Sequence, residues 1–209
     1  MKKDKAAYLA LYDREGNSLA EGEIHGQNGG YPIAIALSND AVKLAVSMIN
    51  INEGSVKSTI AFYNYGTVGQ NEIDHCVGVN NYDDMVIPEM EFTSNDRMVA
   101  FGDTKAVIFE GAQKPQAIAE IPMDEKTKSI FYNEHYIGIV TGNEDEAVTN
   151  HLAVYDENGK LVMEKDFGLD YSSIEFLTNN EICIRNANVC DIYTVHGVYK
   201  FHHEFEEEL

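Results

Sequence analysis

Leu152-Ala153-Val154-Tyr155-Asp156-Glu157-Asn158-Gly159-Lys160-Leu161-Val162 is the stretch on which the fold turns. Its first four residues are apolar and include a β-branched residue and an aromatic, which suit a pleated, half-buried surface. The next four are hairpin chemistry: Asn and Asp tolerate left-handed backbone angles, and Gly adopts the positive φ of a tight turn at no steric cost. An apolar run then resumes. The segment predicts a strand, a tight turn and a returning strand.

Working outward, the first strand of this hairpin recurs as Tyr8–Asp13, Thr59–Asn64, Ala106–Glu110 and Cys190–Thr194. The aromatic markers Tyr12, Tyr63, Phe109, Tyr155 and Tyr193 are spaced by 51, 46, 46 and 38 residues. A second phrase, apolar strand, polar turn, apolar strand, precedes the last four copies. It runs through Ser38-Asn39-Asp40, Ser94-Asn95-Asp96, Asn133-Glu134 and Asn179-Asn180. Asn39, Asn95, Asn133 and Asn179 are 56, 38 and 46 residues apart, so the two phrases repeat together. Turns at Asp13-Arg14-Glu15-Gly16-Asn17 and His196-Gly197 sit where Asp156–Gly159 does, and an outer strand follows each marker strand.

One unit therefore has four strands, lettered here A to D, with a tight turn between C and D. A period of 40 to 50 residues with four strands is that of a propeller blade. The expected fold is all-β: a β-propeller or partial propeller of four-stranded antiparallel blades in a single repeat domain over residues 1–209. Full blades are expected at about 31–78, 84–122, 127–168 and 171–205, after an N-terminal half-blade, 1–30, that supplies only strands C and D. A half-blade implies either a fifth, incomplete blade or a piece of a longer propeller, and open blade edges would let copies of the chain pair.

The segment from Leu152 to Val162 resembles the strand-turn-strand of quinoprotein-like propellers, which follow it with a Trp. Met163 stands in that place and the chain has no Trp, so the quinoprotein cofactor is not implied and the Trp-Asp pair of WD40 blades is absent. As a whole the strand pattern resembles an uncharacterised propeller family of Gram-positive gut anaerobes in which a membrane-spanning helix precedes the repeats. That resemblance implies a blade region outside the cytoplasmic membrane, part of a larger envelope-associated protein, and implies no functional residues.

Charge narrows the partners. Lys and Arg number 15 against 35 Asp and Glu, a formal net charge of −20. Such a surface repels phosphate backbones and anionic lipid, so neither nucleic acid nor membrane insertion is expected. The stretch from Ala6 to Tyr12 is too short for a signal peptide, and no run is long enough to span a bilayer. Cys76, Cys183 and Cys190 are too few and too scattered for a disulfide framework or a zinc site; Cys183 and Cys190 fall on neighbouring strands where a bridge is conceivable, and two buried free thiols are the expected state. His202-His203 sit consecutively on a strand and should point to opposite faces, a poor chelate. No metal or cofactor is expected.

In a propeller the B–C loops and the loops between blades share one face. Three such loops mix acids with tyrosine: Asn81-Tyr82-Asp83-Asp84 and Gly168-Leu169-Asp170-Tyr171 between blades, and the B–C loop Asn143-Glu144-Asp145-Glu146. Tyr82, Asp83, Asp84, Glu144, Asp145, Glu146, Asp170 and Tyr171 are the candidate binding residues for a protein or carbohydrate partner. No nucleophile elbow, Walker loop or Rossmann fingerprint is present, and no catalytic residue is assigned. The leading expectation is a non-catalytic interaction scaffold. The alternative, an enzyme or enzyme fragment acting on carbohydrate as a hydrolase or lyase, needs two carboxylates in one pocket.

Overall fold

A computed structural model describes residues 7–12, 14–24, 30–52, 54–66, 75–142 and 149–206. Every regular element among them is a strand. β1 (Ala7–Tyr12) and β2 (Ser18–Ile24) form a two-stranded sheet. Four four-stranded sheets follow. The first is β3 (Tyr31–Leu37), β4 (Lys43–Asn52), β5 (Ser55–Asn64) and β6 (Cys76–Asp83). The second is β7 (Glu89–Ser94), β8 (Arg97–Phe101), β9 (Lys105–Glu110) and β10 (Gln116–Pro122). The third is β11 (Thr127–Tyr132), β12 (Tyr136–Gly142), β13 (Asn150–Asp156) and β14 (Leu161–Phe167). The fourth is β15 (Ser173–Phe176), β16 (Ile182–Arg185), β17 (Val189–Tyr193) and β18 (Tyr199–Glu204). Each strand pairs with its neighbour in sequence, with no crossover.

The marker tyrosines occupy a repeated irregularity. The register between strands C and D shifts at Leu11/Tyr12, Phe62/Tyr63, Val154/Tyr155 and Ile192/Tyr193. An extra residue there bends the strand and sharpens its twist into the turn. The turns that follow β1, β13 and β17 use Gly16, Gly159 and Gly197 at φ of 86°, 74° and 78°. Asp156 closes its turn with one carboxylate oxygen, Oδ1, accepting from the backbone N–H of Asn158 and Lys160, both at 2.9 Å. β1 and β2 carry the same bulge and the same glycine, which identifies them as strands C and D.

The chain divides into two compact units, Met1–Ile118 and Ala119–Leu209, a division that falls within β10. In the first unit, alternate residues of the first sheet pack against the second. Ala36, Ala45, Ile60 and Phe62 meet Met90, Phe92, Met98, Val107 and Phe109 in one buried cluster. The Phe62 and Phe109 ring centroids lie 5.1 Å apart. Burying each large side chain of this kind stabilises by roughly 1.5–3 kcal/mol. The opposite face of the first sheet buries Leu44, Val46, Met48, Ala61 and Tyr63, with Leu9 of β1 against them. In the second unit, Phe131, Val140, Leu152 and Val154 of the third sheet pack on Ile182, Ile184 and Tyr193 of the fourth.

The structure moves one expected boundary. β6 continues to Asp83, so the first sheet ends there rather than near residue 78, and Asn81, Tyr82 and Asp83 belong to a strand rather than a loop. The reason is the length of its partner: β5 is ten residues long, and its Lys57, Ser58 and Thr59 pair with Asp83, Tyr82 and Asn81.

Candidate functional site

In the first unit, the link from β6 to β7 is held from two sides. The Asp84 N–H donates to the Val56 carbonyl at 2.8 Å, tying the link to the B–C end of its own sheet. The Asp103 N–H donates to the Val86 carbonyl at 3.0 Å, while the Val86 N–H donates to Asp103 Oδ1 at 3.1 Å. Asp103 lies in the B–C turn of the second sheet, so the link between sheets and both B–C ends share one face. Asp84 adopts φ 52°, a left-handed angle that Asp accepts more readily than most residues.

Tyr82 is half-buried and packs against the core cluster of this unit, and the Lys105 ammonium sits 5.7 Å from its ring centroid. Lys57 Nζ pairs with Asp83 Oδ1 at 2.8 Å, both side chains well exposed, so the pair contributes little to stability. The Asp83 hydrogen bond, followed by its charge, raises the Lys57 pKa. Tyr82, Asp83 and Asp84 are therefore brought together with Lys57, Asp103 and Lys105. Sequence reading missed the last three because each lies on a different strand or turn, brought close only by pairing and packing.

The second unit repeats this construction. Asn150 Nδ2 donates to the Leu169 carbonyl at 3.0 Å, and Asn186 Nδ2 donates to the Asp170 carbonyl at 3.0 Å. Asn186 occupies the B–C turn of the fourth sheet, as Asp103 does that of the second. Asp170 is exposed, whereas Tyr171 is half-buried. Its hydroxyl shares a 2.7 Å hydrogen bond with Ser129 Oγ, and its ring lies 5.6 Å from that of Phe167. Tyr171 is thus partly spent on packing. Glu144, Asp145 and Glu146 lie outside the described residues.

The A–B turns of this unit form a second feature, a cavity of about 280 Å³ lined by Asn133, Glu134, His135, Phe176, Leu177, Thr178 and Asn180. Asn133 Oδ1 accepts from the backbone N–H of His135 and Tyr136, each at 2.9 Å. Its Nδ2 donates to Asn180 Oδ1 at 2.8 Å, so the two turns hold each other. The Asn133 and Asn180 amides can bind a polar ligand, and Glu134 and His135 stand on the same lining.

Among the described residues, no group of three or more His, Cys, Asp or Glu could hold a metal ion. His202 and His203 pair with Asp191 and Cys190 respectively, on opposite faces of β18. His202 Nδ1 lies 2.7 Å from Asp191 Oδ1, and this hydrogen bond raises its pKa. Cys183 and Cys190 are free thiols with their sulfurs 3.7 Å apart, and burial pushes the Cys183 thiol up to about 11. No helix among the described residues is long and apolar enough to cross a membrane.

The model of DUF5711, a family of unknown function, matches residues 1–209. No curated protein matches the chain in sequence. Three solved structures show the fold. The Pan2 WD40 domain of Neurospora crassa superposes with a TM-score of 0.55 at 7% identity, covering 93% of this chain and 60% of that one. The β-propeller domain of the Trilobed protease from Pyrococcus furiosus, which has an open velcro topology, gives 0.51 at 12% identity, over 86% and 58%. Acylaminoacyl peptidase from Pyrococcus horikoshii gives 0.51 at 11% identity, over 86% and 33%. The fold is that of a β-propeller or part of one, and the chain spans less than two thirds of the length of each of these structures.

Proposed function

The chain belongs to this family of unknown function, and we propose that it acts there as a non-catalytic propeller scaffold, binding a protein with a basic surface through the loops that join its sheets. The observation that carries this reading is the two-sided clamp on the β6–β7 link. Val56 and Asp103 hold the backbone while the Asp83 and Asp84 side chains stay in solvent. Asp170 is presented in the same way by Asn150 and Asn186. A carboxylate on a backbone that is already fixed loses little entropy on binding. The net charge of −20 favours a cationic partner and would speed its encounter. The short span relative to propeller structures supports a place within a larger protein, and the resemblance of its strand pattern supports a place at the cell envelope.

A photo-crosslinking residue placed at position 83, or separately at position 170, in cells should trap a protein partner, and one placed at Lys160, in a C–D turn, should not. Asp83→Asn with Asp84→Asn should then weaken the purified complex and flatten its salt dependence. If positions 83 and 170 trap nothing above the Lys160 background, the reading fails.

A second reading, hydrolysis or lysis of carbohydrate, has one observation in its favour. Glu89 and Glu91 are two residues apart on β7 and so share a face, and burial, with the charge of Glu89, raises the Glu91 pKa. Two carboxylates that face one bound sugar can divide the acid and base roles. Turnover of a polysaccharide that Glu91→Gln abolishes would establish this reading in place of the first.

A further inference from the structure

The two faces of the fourth sheet differ. Ile182 and Ile184 of β16 and Tyr193 of β17 pack on the third sheet. Cys183 lies between those isoleucines and so points to the other face. Cys183 pairs with Ile192, and Cys190 pairs with Arg185, which sets the two cysteines on diagonal positions of that second face. Their sulfurs are 3.7 Å apart. Cys183 is 7% exposed and Cys190 is half-buried. Arg185 and His203, which stand opposite Cys190 on either side, are both exposed, so solvent reaches Cys190 more readily than Cys183.

Between the two cysteines runs the B–C turn of this sheet, and the turn is an anchor. The Arg185 carbonyl accepts from the Ser172 N–H at 2.8 Å, and the Asn188 carbonyl accepts from the Phe205 N–H at 2.7 Å. Asn186 Nδ2 holds the Asp170 carbonyl, while its Oδ1 accepts from the N–H of Asn188 and Val189 at 3.0 and 2.8 Å. Whatever closes the neck of this hairpin therefore steadies the link that carries Asp170.

We propose that Cys183 and Cys190 form a thiol–disulfide exchange site, whose co-reactant is a small soluble disulfide and whose bridge locks the turn that holds Asp170. The Cys190 thiolate, its proton lost to water, attacks one sulfur of the co-reactant. The co-reactant's S–S bond breaks, its second half leaves as a thiolate that takes up a proton, and a mixed disulfide remains on Cys190. Burial pushes the Cys183 thiol up to about 11, which suits it to the second step rather than the first. Cys183 gives up its proton and its sulfur attacks the Cys190 sulfur, expelling the rest of the co-reactant as a thiol. Two protein thiols are oxidised to one disulfide, and one disulfide is reduced to two thiols. The sulfurs close from 3.7 Å to about 2.05 Å, a change within reach of rotation about the two Cα–Cβ bonds. The bridge forms whether or not Asp170 contacts a partner, so this site stands apart from the acidic loop face.

The test uses the purified chain with excess oxidised glutathione at pH 8, followed by alkylation, proteolysis and non-reducing mass spectrometry. The peptides holding Cys183 and Cys190 should be joined with the loss of two hydrogens, and dithiothreitol should separate them. Cys183→Ala should stop the reaction with glutathione still attached to Cys190, and Cys190→Ala should leave Cys183 unmodified. Unchanged Phe131 and Phe176 ring resonances would verify that each form is folded. In the oxidised chain, exchange of the Ser172 amide should slow by about tenfold, because the cross-link restricts opening of the turn. Glutathione retained on Cys190 of the native sequence, or a bridge from either thiol to Cys76, overturns the exchange site. A bridge that leaves Ser172 exchange unchanged overturns the locking of the turn.

Discussion

Lys43 and Asp96 link the first two full sheets, and the two halves of that pair should respond very differently to removal. Lys43 Nζ donates to Asp96 Oδ1 and to the Asn95 carbonyl, both at 2.6 Å. The lysine side chain is only 6% exposed, whereas that of Asp96 is 55% exposed. Lys43→Met leaves an aspartate that water can reach, an Asn95 carbonyl without this donor, and no buried charge. The cost should be about 1 kcal/mol. Asp96→Ala leaves the buried ammonium with the Asn95 carbonyl as its one hydrogen-bond acceptor and with the Asp40 carboxylate as its nearby negative charge. Breaking one side of a buried pair costs roughly 3–5 kcal/mol, and the half-exposed position of Asp96, which lets water approach, places the expected loss near the lower end, about 3 kcal/mol. The double variant should resemble Lys43→Met, because the buried ammonium is gone. Urea unfolding followed through the Phe62 and Phe109 ring resonances reads the core between these two sheets directly. With an unchanged slope against urea, midpoints convert to stability. If Asp96→Ala costs no more than Lys43→Met, burial of the ammonium is not what makes this link strong.

Other expectations are independent of that pair. The Phe131 ring lies over Gly138, its partner across the strands, where an added Cβ would collide with it; Gly138→Ala should therefore cost roughly 1–3 kcal/mol by thermal unfolding. Burial and the charge of Glu89 raise the Glu91 pKa, so the ionised form is disfavoured by folding. Glu91→Gln should accordingly raise Tm at pH 7, with the gain vanishing below the ordinary glutamate value of about 4.5. Asp191 holds the His202 pKa above its ordinary value. Asp191→Asn should return the His202 NMR titration toward about 6.5. Since the Cys183 thiol is pushed up to about 11, iodoacetamide should modify Cys183 negligibly at pH 8 and its rate should climb above pH 10.

The local features of the fold were legible in sequence because they are set by neighbours along the chain. Asp156 to Gly159 and the recurring marker tyrosines encode hairpins, and the structure has a four-stranded sheet around each full repeat. The bulge before each marker tyrosine was not legible, because a register shift belongs to two strands and one sequence shows only one of them at a time. The same limit applied to Asn81–Asp83, which read as a polar loop until the length of β5 made it a strand. At the candidate face, Asp83, Asp84 and Asp170 could be picked out by their acidity and their place between repeats. The clamps that hold them, Val56, Asp103, Asn150 and Asn186, carry no local signature. Tyr82 and Tyr171 looked like exposed contact residues, yet their rings have apolar neighbours that only packing supplies.

Pairing each strand only with its neighbour in the chain has a kinetic consequence. Every sheet closes through contacts a few residues to a few tens of residues apart, so little loop entropy is lost before the first hydrogen bonds form. A ribosome releases the strands in the order in which they pair. Each four-stranded sheet can form before the next is synthesised. Lengthening or shortening such a chain by whole repeats leaves every hairpin intact, which makes the repeat, rather than the residue, the natural unit in which a lineage of these proteins can grow or shrink.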